Sequence, residues 1–269
     1  MAHQLYVFGS NGEGQLGIPA ADIVPIPTLV PETLSPGGYT IPLEDLISIR
    51  GGDNHTLLYI RNGVVYGAGD NRKSQLRSES KKRRIDQFEL VGASTSLIAA
   101  TCESSAYLIH YTLGVEGCWV QIHGSGQWGE LGSCTHSSDK DTNKLPGEAV
   151  DFAAGVWHYV ALMLDGSVYG WGKARCGQLG DRLSGKVTAP TRIEDIPFRP
   201  RKVICGKDFT YFVGDPNTGE HTLLGKDKFN IISNMPDHVK GWKDIGATWH
   251  AIFVLFHDGT LTALSLIHI

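Results

Sequence analysis

Short apolar runs that are separated by glycine-containing turns recur along the chain. The clearest is Tyr159 to Leu164, which is too short for a helix and is followed by Asp165-Gly166 and a second run, Ser167 to Trp171. Asn62-Gly63 and Asp258-Gly259 stand between similar runs. Such dipeptides are typical of tight hairpin turns, because glycine accepts a positive φ angle. No helical period extends over about ten residues, so the pattern predicts an all-β protein built from hairpins.

Two sequence blocks accompany these hairpins and repeat about every 50 residues. The first block is a small residue, two variable residues and then histidine or a substitute. Its copies are Gly52–His55, Cys102–Ser105, Gly155–His158, Gly206–Phe209 and Ala247–His250. The second block is typically an aromatic residue before glycine, followed by Gly-Gln-Leu-Gly. Its copies are Phe8–Gly17, Ala68–Leu76, His123–Gly132, Trp171–Gly180 and a worn copy at Leu224–Ile231.

Repeated short sheets of this kind predict a β-propeller, in which four-stranded blades of about 50 residues form a radial array. We expect a single propeller domain over residues 1–269 with five to six readable units. These units lie near residues 5–17, 47–76, 97–132, 150–180, 203–231 and 242–264. The chain opens on a lone half-repeat, which is expected to complete the last unit and so join the two ends. The apolar tail Ser265 to Ile269 is expected either to pair as a final strand or to reflect an altered end.

Composition and charge predict the class of protein and its cellular compartment. Hydrophobic residues make up 41% of the 269 positions and charged residues 19%, so a buried core is expected rather than disorder. The formal net charge of -4 provides no basic field for non-specific nucleic-acid binding. No secretory signal is readable, and the longest apolar run, Ala251 to Phe256, is far too short to span a membrane. We therefore expect a soluble cytoplasmic protein, with the nucleus as a second location.

Cysteine usage predicts neither a disulfide framework nor a closed zinc site. The cysteines are odd in number and form no Cys-x-x-Cys pair, so reduced and mostly buried thiols are expected. They are Cys102, Cys118, Cys134, Cys176 and Cys205. The 33 glycines exceed the usual share of about 7% and fit a fold with many tight turns.

The two blocks resemble the regulator-of-chromosome-condensation repeats. Units of that family carry Gly-x-x-His, a strand, Asp-Gly, a strand, Trp-Gly and Gly-Gln-Leu-Gly, and residues 150–180 match this order almost position by position. WD repeats are shorter and would carry Trp-Asp where this chain has Trp171-Gly172, and kelch repeats carry a Gly-Gly pair in every unit. The resemblance covers nearly the whole chain and implies a propeller, which in this family usually has seven blades.

The variable loop positions are the candidate functional residues, because binding residues are concentrated on loops that a rigid scaffold holds in place. Trp157 and Trp249 are assigned to the same slot, and Trp128 lies in a glycine turn. Tryptophan is enriched at binding hot spots, so we expect these side chains to anchor a partner, with wedges inside the fold as the alternative. The predicted partner-binding residues are Trp128, Glu130, Trp157, Trp249, Asp53 and Asn54. Glu103 and Asp208 extend the polar, mildly acidic rim.

Other recurrent or charged residues are expected to be structural. His55, His158 and His250 recur, but Ser105 and Phe209 interrupt the series and exclude a ring of imidazoles. We expect these histidines to satisfy backbone groups inside their own blades. The basic run Lys81–Arg84 is interpreted as a solvated loop, with a nuclear-import patch or a phosphate contact as the alternatives.

No enzyme signature is readable, so neither catalytic residues nor a cofactor or metal are predicted. Leu5–Gly17, Gly51–Thr56 and Gly67–Arg72 look like a compact branch of the family, the fungal α-tubulin suppressors or killer-toxin-insensitivity proteins. This resemblance implies a non-catalytic accessory partner of a small zinc-binding protein. That protein donates electrons in diphthamide synthesis, and the accessory partner supports Elongator-dependent modification of wobble uridines in tRNA.

Two other function classes remain open. The role of the family's founder is guanine-nucleotide exchange on a small nuclear GTPase while held on chromatin. The founder's basic N-terminal extension anchors it there, whereas this repeat begins at Leu5, which counts against a chromatin role. The third class is an enzyme or inhibitor built on a propeller.

Overall fold

The computed structural model describes residues 3–31, 40–76, 82–110, 117–132, 143–226 and 235–265. These residues form twenty β-strands and two short 3-10 turns, at Leu43–Asp45 and Arg61–Gly63. Within this described part, no helix has the length and apolar character needed to cross a bilayer. The chain divides into two compact units. The first unit holds residues 3–31, 40–76, 82–110 and 119–126, and the second holds 117–118, 127–132, 143–226 and 235–265.

The sheets of the first unit are antiparallel and follow chain order. A two-stranded sheet pairs β1 (Tyr6–Asn11) with β2 (Ala21–Leu29). A four-stranded sheet follows, in the order β3 (Leu46–Gly51), β4 (His55–Ile60), β5 (Val64–Asp70) and β6 (Arg84–Gly92). The next strands are β7 (Leu97–Ala100), β8 (Ser104–His110) and β9 (Cys118–Gly124), which are adjacent in this order.

The second unit repeats the same architecture. After the short β10 (Lys144–Leu145) comes a four-stranded sheet of β11 (Ala149–Ala154), β12 (His158–Met163), β13 (Val168–Lys173) and β14 (Lys186–Ile193). β15 (Lys202–Cys205), β16 (Phe209–Val213) and β17 (His221–Gly225) form the next sheet. The last contains β18 (Trp242–Ala247), β19 (Ala251–Phe256) and β20 (Leu261–Ser265).

The all-β prediction and the blade pattern are confirmed by these sheets. Four-stranded blades are present as β3–β6 and β11–β14, and the sheets match the five to six readable units. The single domain over 1–269 and the joining of the two ends by the half-repeat stay predictions. Residues 266–269 of the apolar tail and residues 227–231 of the worn copy lie outside the described residues.

Hairpin turns form where the dipeptides predict them. Asn62 and Gly63 both have positive φ, at 72° and 79°, as a tight hairpin turn requires. Asp165 accepts the backbone N–H of Ser167 at 2.8 Å, and Gly166 adopts a φ of 89°. The turn at Asp258 and Gly259 repeats that arrangement with Thr260 as the donor. The Asx bond and the glycine therefore fix the strand register in the hairpins at Asp165 and Asp258, and the two positive φ angles do so at Asn62 and Gly63.

The leucine of the Gly-Gln-Leu-Gly block packs onto a glycine of the preceding strand. A Cβ atom on Gly170 would lie 2.7 Å from Leu179 Cδ2, and one on Gly67 would lie 2.9 Å from Leu76 Cδ2. Both leucines are buried. Gly67 and Gly170 are thus needed for close approach, and the following turn is anchored to the sheet by burial of an aliphatic side chain.

The aromatic residues of the clearest repeat build a core in the second unit. Trp171 is fully buried and stacks on Tyr159 at 5.4 Å and on Phe152 at 5.9 Å between ring centroids. Its indole N–H donates to the carbonyl of Glu130 at 3.0 Å. The aromatic residue before glycine therefore holds the neighbouring turn in place by burial and by a hydrogen bond.

Backbone hydrogen bonds correct the predicted alignment of two first blocks. Gly52 donates its N–H to the carbonyl of His55, and Gly155 does the same to His158, both at 2.9 Å. The equivalent bonds join Thr101 to Ser104 and Thr248 to Ala251. The aligned blocks are therefore Thr101–Ser104 and Thr248–Ala251, so the alignments Cys102–Ser105 and Ala247–His250 are each wrong by one residue. Ser104 and Ala251 carry no imidazole, so no side chain marks the register in the sequence.

Candidate protein-binding surface

The recurrent histidines are buried braces that bridge to hydroxyl groups. His55 Nε2 lies 3.0 Å from Ser105 Oγ, and His158 Nε2 lies 3.0 Å from Thr210 Oγ1. Each hydroxyl belongs to the following sheet, so the prediction that these histidines satisfy backbone groups within their own blades is wrong. Burial lowers the pKa of both imidazoles to about 4, although the nearby carboxylates of Asp70 and Asp208 act in the opposite direction.

The ring of each brace also explains the small residue that opens its block. A Cβ atom on Gly52 would lie 2.1 Å from His55 Cε1, and one on Gly155 would lie 2.2 Å from His158 Cε1. The imidazole thus occupies the space that a side chain at the glycine would need. His250 is not a member of this set, because Ala251 occupies the histidine position in its block.

The corrected register defines two loop slots between the small residue and the histidine position. The first loop slot contains Asp53, Cys102, Val156, Lys207 and Trp249. The second loop slot contains Asn54, Glu103, Trp157, Asp208 and His250. Backbone bonds between neighbouring first slots support this alignment, since Asp53 donates to the carbonyl of Cys102 and Lys207 donates to that of Trp249. Trp157 and Trp249 are therefore not equivalent, and their assignment to one slot is wrong.

The predicted tryptophans differ in how far they reach the surface. Trp249 is 48% exposed and lies on its loop beside Lys207, whose Nζ is 6.0 Å from the ring centroid. Trp157 and Trp128 are half-buried. Trp249 is consequently the tryptophan whose apolar surface is most accessible to another molecule.

Glu130 has a structural position inside its turn. It takes the place of the glutamine of the Gly-Gln-Leu-Gly block, and its Oε2 accepts the backbone N–H of Trp128 at 2.7 Å. Gln75 and Gln178 make the same bond to Lys73 and Cys176 in their own turns. Because Glu130 is fully buried, it offers no surface to a partner in this arrangement.

Asp53 and Asn54 line an open polar cleft of about 360 Å³ in the first unit. The Asn54 amide donates to the carboxylate of Asp53 at 3.1 Å. The remaining lining residues are Asp70, Arg72, Lys73, Gln75, Cys102 and Glu103. Opposite charges face each other within this cleft. Arg72 pairs with Asp70 at 2.7 Å, and Lys73 pairs with Glu103 at 3.1 Å. The two predicted rim residues are thus brought together in a cleft whose cations are already paired.

A different surface occupies the corresponding part of the second unit. The Arg175 guanidinium carbon lies 4.4 Å from the ring centroid of Trp128, and the ammonium groups of Lys173 and Lys186 lie at 5.8 Å and 5.9 Å. Lys173 also pairs with Asp208 at 2.9 Å, which connects the surface to Lys207 and Trp249 in the neighbouring loop. We call this set the cationic-aromatic surface. Its members are Trp128, Lys173, Arg175, Lys186, Lys207 and Trp249.

The cations of this surface are not among the residues predicted from the sequence. The glycine turns nevertheless mark one of them, because arginine recurs at the same turn position. Each turn follows a strand glycine with a positive φ angle, namely Gly9, Gly69, Gly124 or Gly172. The third residue after this glycine contacts the fourth residue after the equivalent glycine of the preceding turn. Arg72 contacts Glu13 in this way in the first unit, and Arg175 contacts Trp128 in the second. Alignment of the turns by their glycines would have shown arginine at the third position in both.

The basic run and the cysteines have structural surroundings. Lys82 forms an ion pair with Glu89, and Arg84 pairs with Asp86 at 2.7 Å, whereas Lys81 lies outside the described residues. Cys118 is buried, with a pKa raised to about 11 by burial, and Cys102, Cys176 and Cys205 are half-buried thiols. Cys134 lies outside the described residues. Among the residues described, no group of three or more histidine, cysteine or acidic side chains is arranged to hold a metal ion.

Comparison with known proteins confirms the resemblance to this repeat family. Residues 2–59 and 165–213 match the family model described as Regulator of chromosome condensation (RCC1) repeat, and a second RCC1 model matches residues 149–178. An RCC1 repeat-containing protein of Schizosaccharomyces pombe, C10F6.04, is 27% identical over 96% of this chain and 75% of its own length. The human probable E3 ubiquitin-protein ligase HERC6 is 26% identical, but the match covers 77% of this chain and 22% of that protein.

Solved structures with the same fold confirm the β-propeller. Human WBSCR16 matches with a TM-score of 0.75 and 17% identity, covering 98% of this chain and 74% of the other. Prp20p of Saccharomyces cerevisiae, whose crystal structure was described with its binding properties to Gsp1p and histones, matches with a TM-score of 0.72 and 17% identity. That match covers 97% of this chain and 67% of Prp20p. The fold class is thus confirmed, and these comparisons do not extend to Elongator or diphthamide synthesis.

Proposed function

We propose, from the premise that this chain carries RCC1-type repeats on a β-propeller fold, that it acts by binding another protein and performs no catalysis of its own. One observation carries the proposal. The residues that the repeats share are buried in braces and turns, whereas the loop slots differ from unit to unit and include the half-exposed Trp249. A rigid scaffold with variable loops is typical of binding proteins.

The partner we favour is a small zinc-binding protein of the diphthamide and Elongator pathways, which the chain would bind in the cytoplasm. The chain would act as its accessory factor and would support modification of wobble uridines in tRNA. The support is the likeness of residues 5–17, 51–56 and 67–72 to the compact α-tubulin suppressors. In the second unit, the residues proposed for partner binding are Trp128, Trp157 and Trp249. In the first unit they are Asp53 and Asn54.

Regulation of a small GTPase is the second candidate. It is supported by the fold shared with Prp20p, for which binding to Gsp1p is described. In this case the chain would bind the nucleotide-free GTPase more tightly than the GDP-bound form, since an exchange factor stabilises the empty state.

Purified proteins distinguish these candidates. The full chain is mixed with the small zinc protein, and separately with a nuclear GTPase with and without GDP, and complexes are measured by calorimetry and gel filtration. We expect a one-to-one complex with the zinc protein and no acceleration of GDP release from the GTPase. Accelerated GDP release would favour the GTPase candidate, and the absence of a complex with either protein would contradict both.

A further inference from the structure

We propose that the cationic-aromatic surface of the second unit binds an acidic segment of a partner protein. This inference rests on the proposed function and adds the chemistry of the contact. Carboxylate groups of the segment would bind Arg175, Lys186 and Lys207. An apolar side chain of the segment would pack on Trp249.

Two arginines at the same turn position, Arg72 and Arg175, have different neighbours. Arg72 lies 2.7 Å from the carboxylate of Glu13 and 2.7 Å from that of Asp70. At the corresponding position, Arg175 lies over the ring of Trp128. An indole attracts a cation but carries no charge to cancel it, so the positive charge of Arg175 remains available to an anion.

The cations that have no ion-pair partner among the described residues lie close together. Arg175 and Lys186 both lie within 6 Å of the centre of the Trp128 ring, and both are exposed to solvent. Among the residues that the structure describes, no carboxylate forms an ion pair with Arg175, Lys186 or Lys207. Within the described part of the chain these cations create a local positive potential, although the chain as a whole carries a net charge of -4.

Contacts within the cationic-aromatic surface hold its side chains in place. The ion pair between Lys173 and Asp208 is mostly buried, with 17% and 13% of the two side chains exposed, and it holds the turn against the neighbouring loop. Lys207 adjoins Asp208 in that loop, and its backbone N–H donates to the carbonyl of Trp249 at 2.9 Å. The cations and the exposed indole are therefore held in one fixed arrangement before a partner arrives, which reduces the entropy lost on binding.

An acidic protein segment fits this surface better than single-stranded nucleic acid does. Nucleic-acid platforms present open aromatic faces on which bases stack. Here the ring of Trp128 already carries a guanidinium group at 4.4 Å and two ammonium groups within 6 Å. The groups presented to a ligand are thus the cations, whose bidentate and point-charge geometries suit carboxylates.

Peptide binding to the purified full chain tests this proposal. The probe is a short glutamate-rich peptide with one central phenylalanine, and the control probe has glutamine in place of every glutamate. A single-stranded oligouridylate is the third probe. Indole N–H signals in a nitrogen–proton spectrum report contact at tryptophan, and calorimetry gives the affinity. We expect the acidic peptide to bind and to shift the Trp249 and Trp128 signals, and its affinity to fall as salt rises.

Matched variants make the result specific. The double variant Arg175→Gln, Lys186→Gln should weaken the acidic peptide about tenfold, because two charge contacts are lost. Arg72→Gln, at the same turn position in the first unit, should leave the affinity within about twofold because that arginine is already paired. A cooperative melting transition within a few degrees of that of the unchanged chain shows that each variant is folded.

Three results would overturn the proposal: equal affinity for the glutamate and glutamine peptides, tighter binding of the oligouridylate, or equal loss of affinity in the double variant and in Arg72→Gln. The protein-binding function fails on different grounds, namely the absence of a complex with any intact partner. An intact partner that binds the double variant at full affinity would overturn this surface and leave the protein-binding function standing.

Discussion

The glycine turns of the two units share one scaffold and present opposite chemistry. In the first unit the contact between neighbouring turns is an ion pair, Arg72 with Glu13, and in the second it is Arg175 over Trp128. The residue after the strand glycine changes in the same direction, from Asp70 to Lys173. The repeat therefore fixes where the side chains lie. The charge of the surface is decided by the differences at two turn positions, Asp70 against Lys173 and Glu13 against Trp128.

The scaffold of each turn depends on a strand glycine, and removing it should have the largest effect. Gly69 and Gly172 have φ angles of 115° and 104°, and a Cβ atom would lie 2.3 Å and 2.4 Å from the carbonyl oxygens of Asn54 and Trp157. Gly69→Ala and Gly172→Ala should each destabilise the protein by about 4 kcal/mol, since both strain and a backbone clash result. Urea unfolding gives the free energies. A loss below about 1 kcal/mol in either variant would show that the two turns are not built alike.

Removal of a histidine brace should cost somewhat less and should again be similar in both units. His55→Ala and His158→Ala each delete a buried ring and its hydrogen bond to a hydroxyl group, so we expect a loss of about 3 kcal/mol in the free energy of unfolding. Unfolding monitored by circular dichroism provides the test. A loss in the free energy of unfolding that is several times larger for one variant than for the other would show that the two histidines are not equivalent.

Acid should destabilise both units through the same histidines. Their folded-state pKa of about 4 lies below the unfolded value of 6.5, so the unfolded state binds more protons between these limits. The associated stability is present above pH 6.5 and is lost as the pH falls toward 4, by about 1.4 kcal/mol per pH unit for each histidine. His158→Phe, which introduces the residue found at Phe209 in the equivalent position, should halve this slope. An unchanged slope in that variant would contradict the assignment.

The contact of Arg72 with Glu13 and that of Arg175 with Trp128 should respond differently to salt. We expect this difference to be smaller than the effects of the glycine and histidine substitutions. The ion pair of Arg72 is exposed and screened, so Arg72→Gln should lower the melting temperature slightly in dilute buffer and not in concentrated salt. Arg175→Gln should change the fluorescence of Trp128 at both salt concentrations, because a cation over an indole ring is less dependent on screening. Thermal melts and emission spectra at two salt concentrations check this difference.

Much of the fold was predictable because its signals are local. Asn62-Gly63 and Asp165-Gly166 set hairpin turns through backbone angles and Asx bonds, and the spacing of the repeated blocks placed the sheets. The alignment failed where the marker side chain is missing, at Ser104 and Ala251, because only backbone hydrogen bonds then define the register.

The candidate site was less predictable because its contacts join separate repeats. Trp128 and Trp249 were identified as loop residues, but the cations around Trp128 come from positions about 45 to 60 residues further along the chain. Glu130 was misjudged because it replaces a glutamine of nearly the same shape and makes the same turn bond, so a charged residue there is buried. Sequence spacing identifies the turns, and three-dimensional packing decides which side chains meet.

The substitution Trp128→Glu gives the second unit the turn contact of the first, in which glutamate faces arginine. A carboxylate beside Arg175 and Lys186 would neutralise them, as Glu13 does for Arg72. We predict that the acidic peptide binds this variant about tenfold more weakly by calorimetry, while the melting temperature is nearly unchanged. Full affinity in a folded Trp128→Glu variant would contradict the claim that unneutralised cations of the second unit form the binding surface.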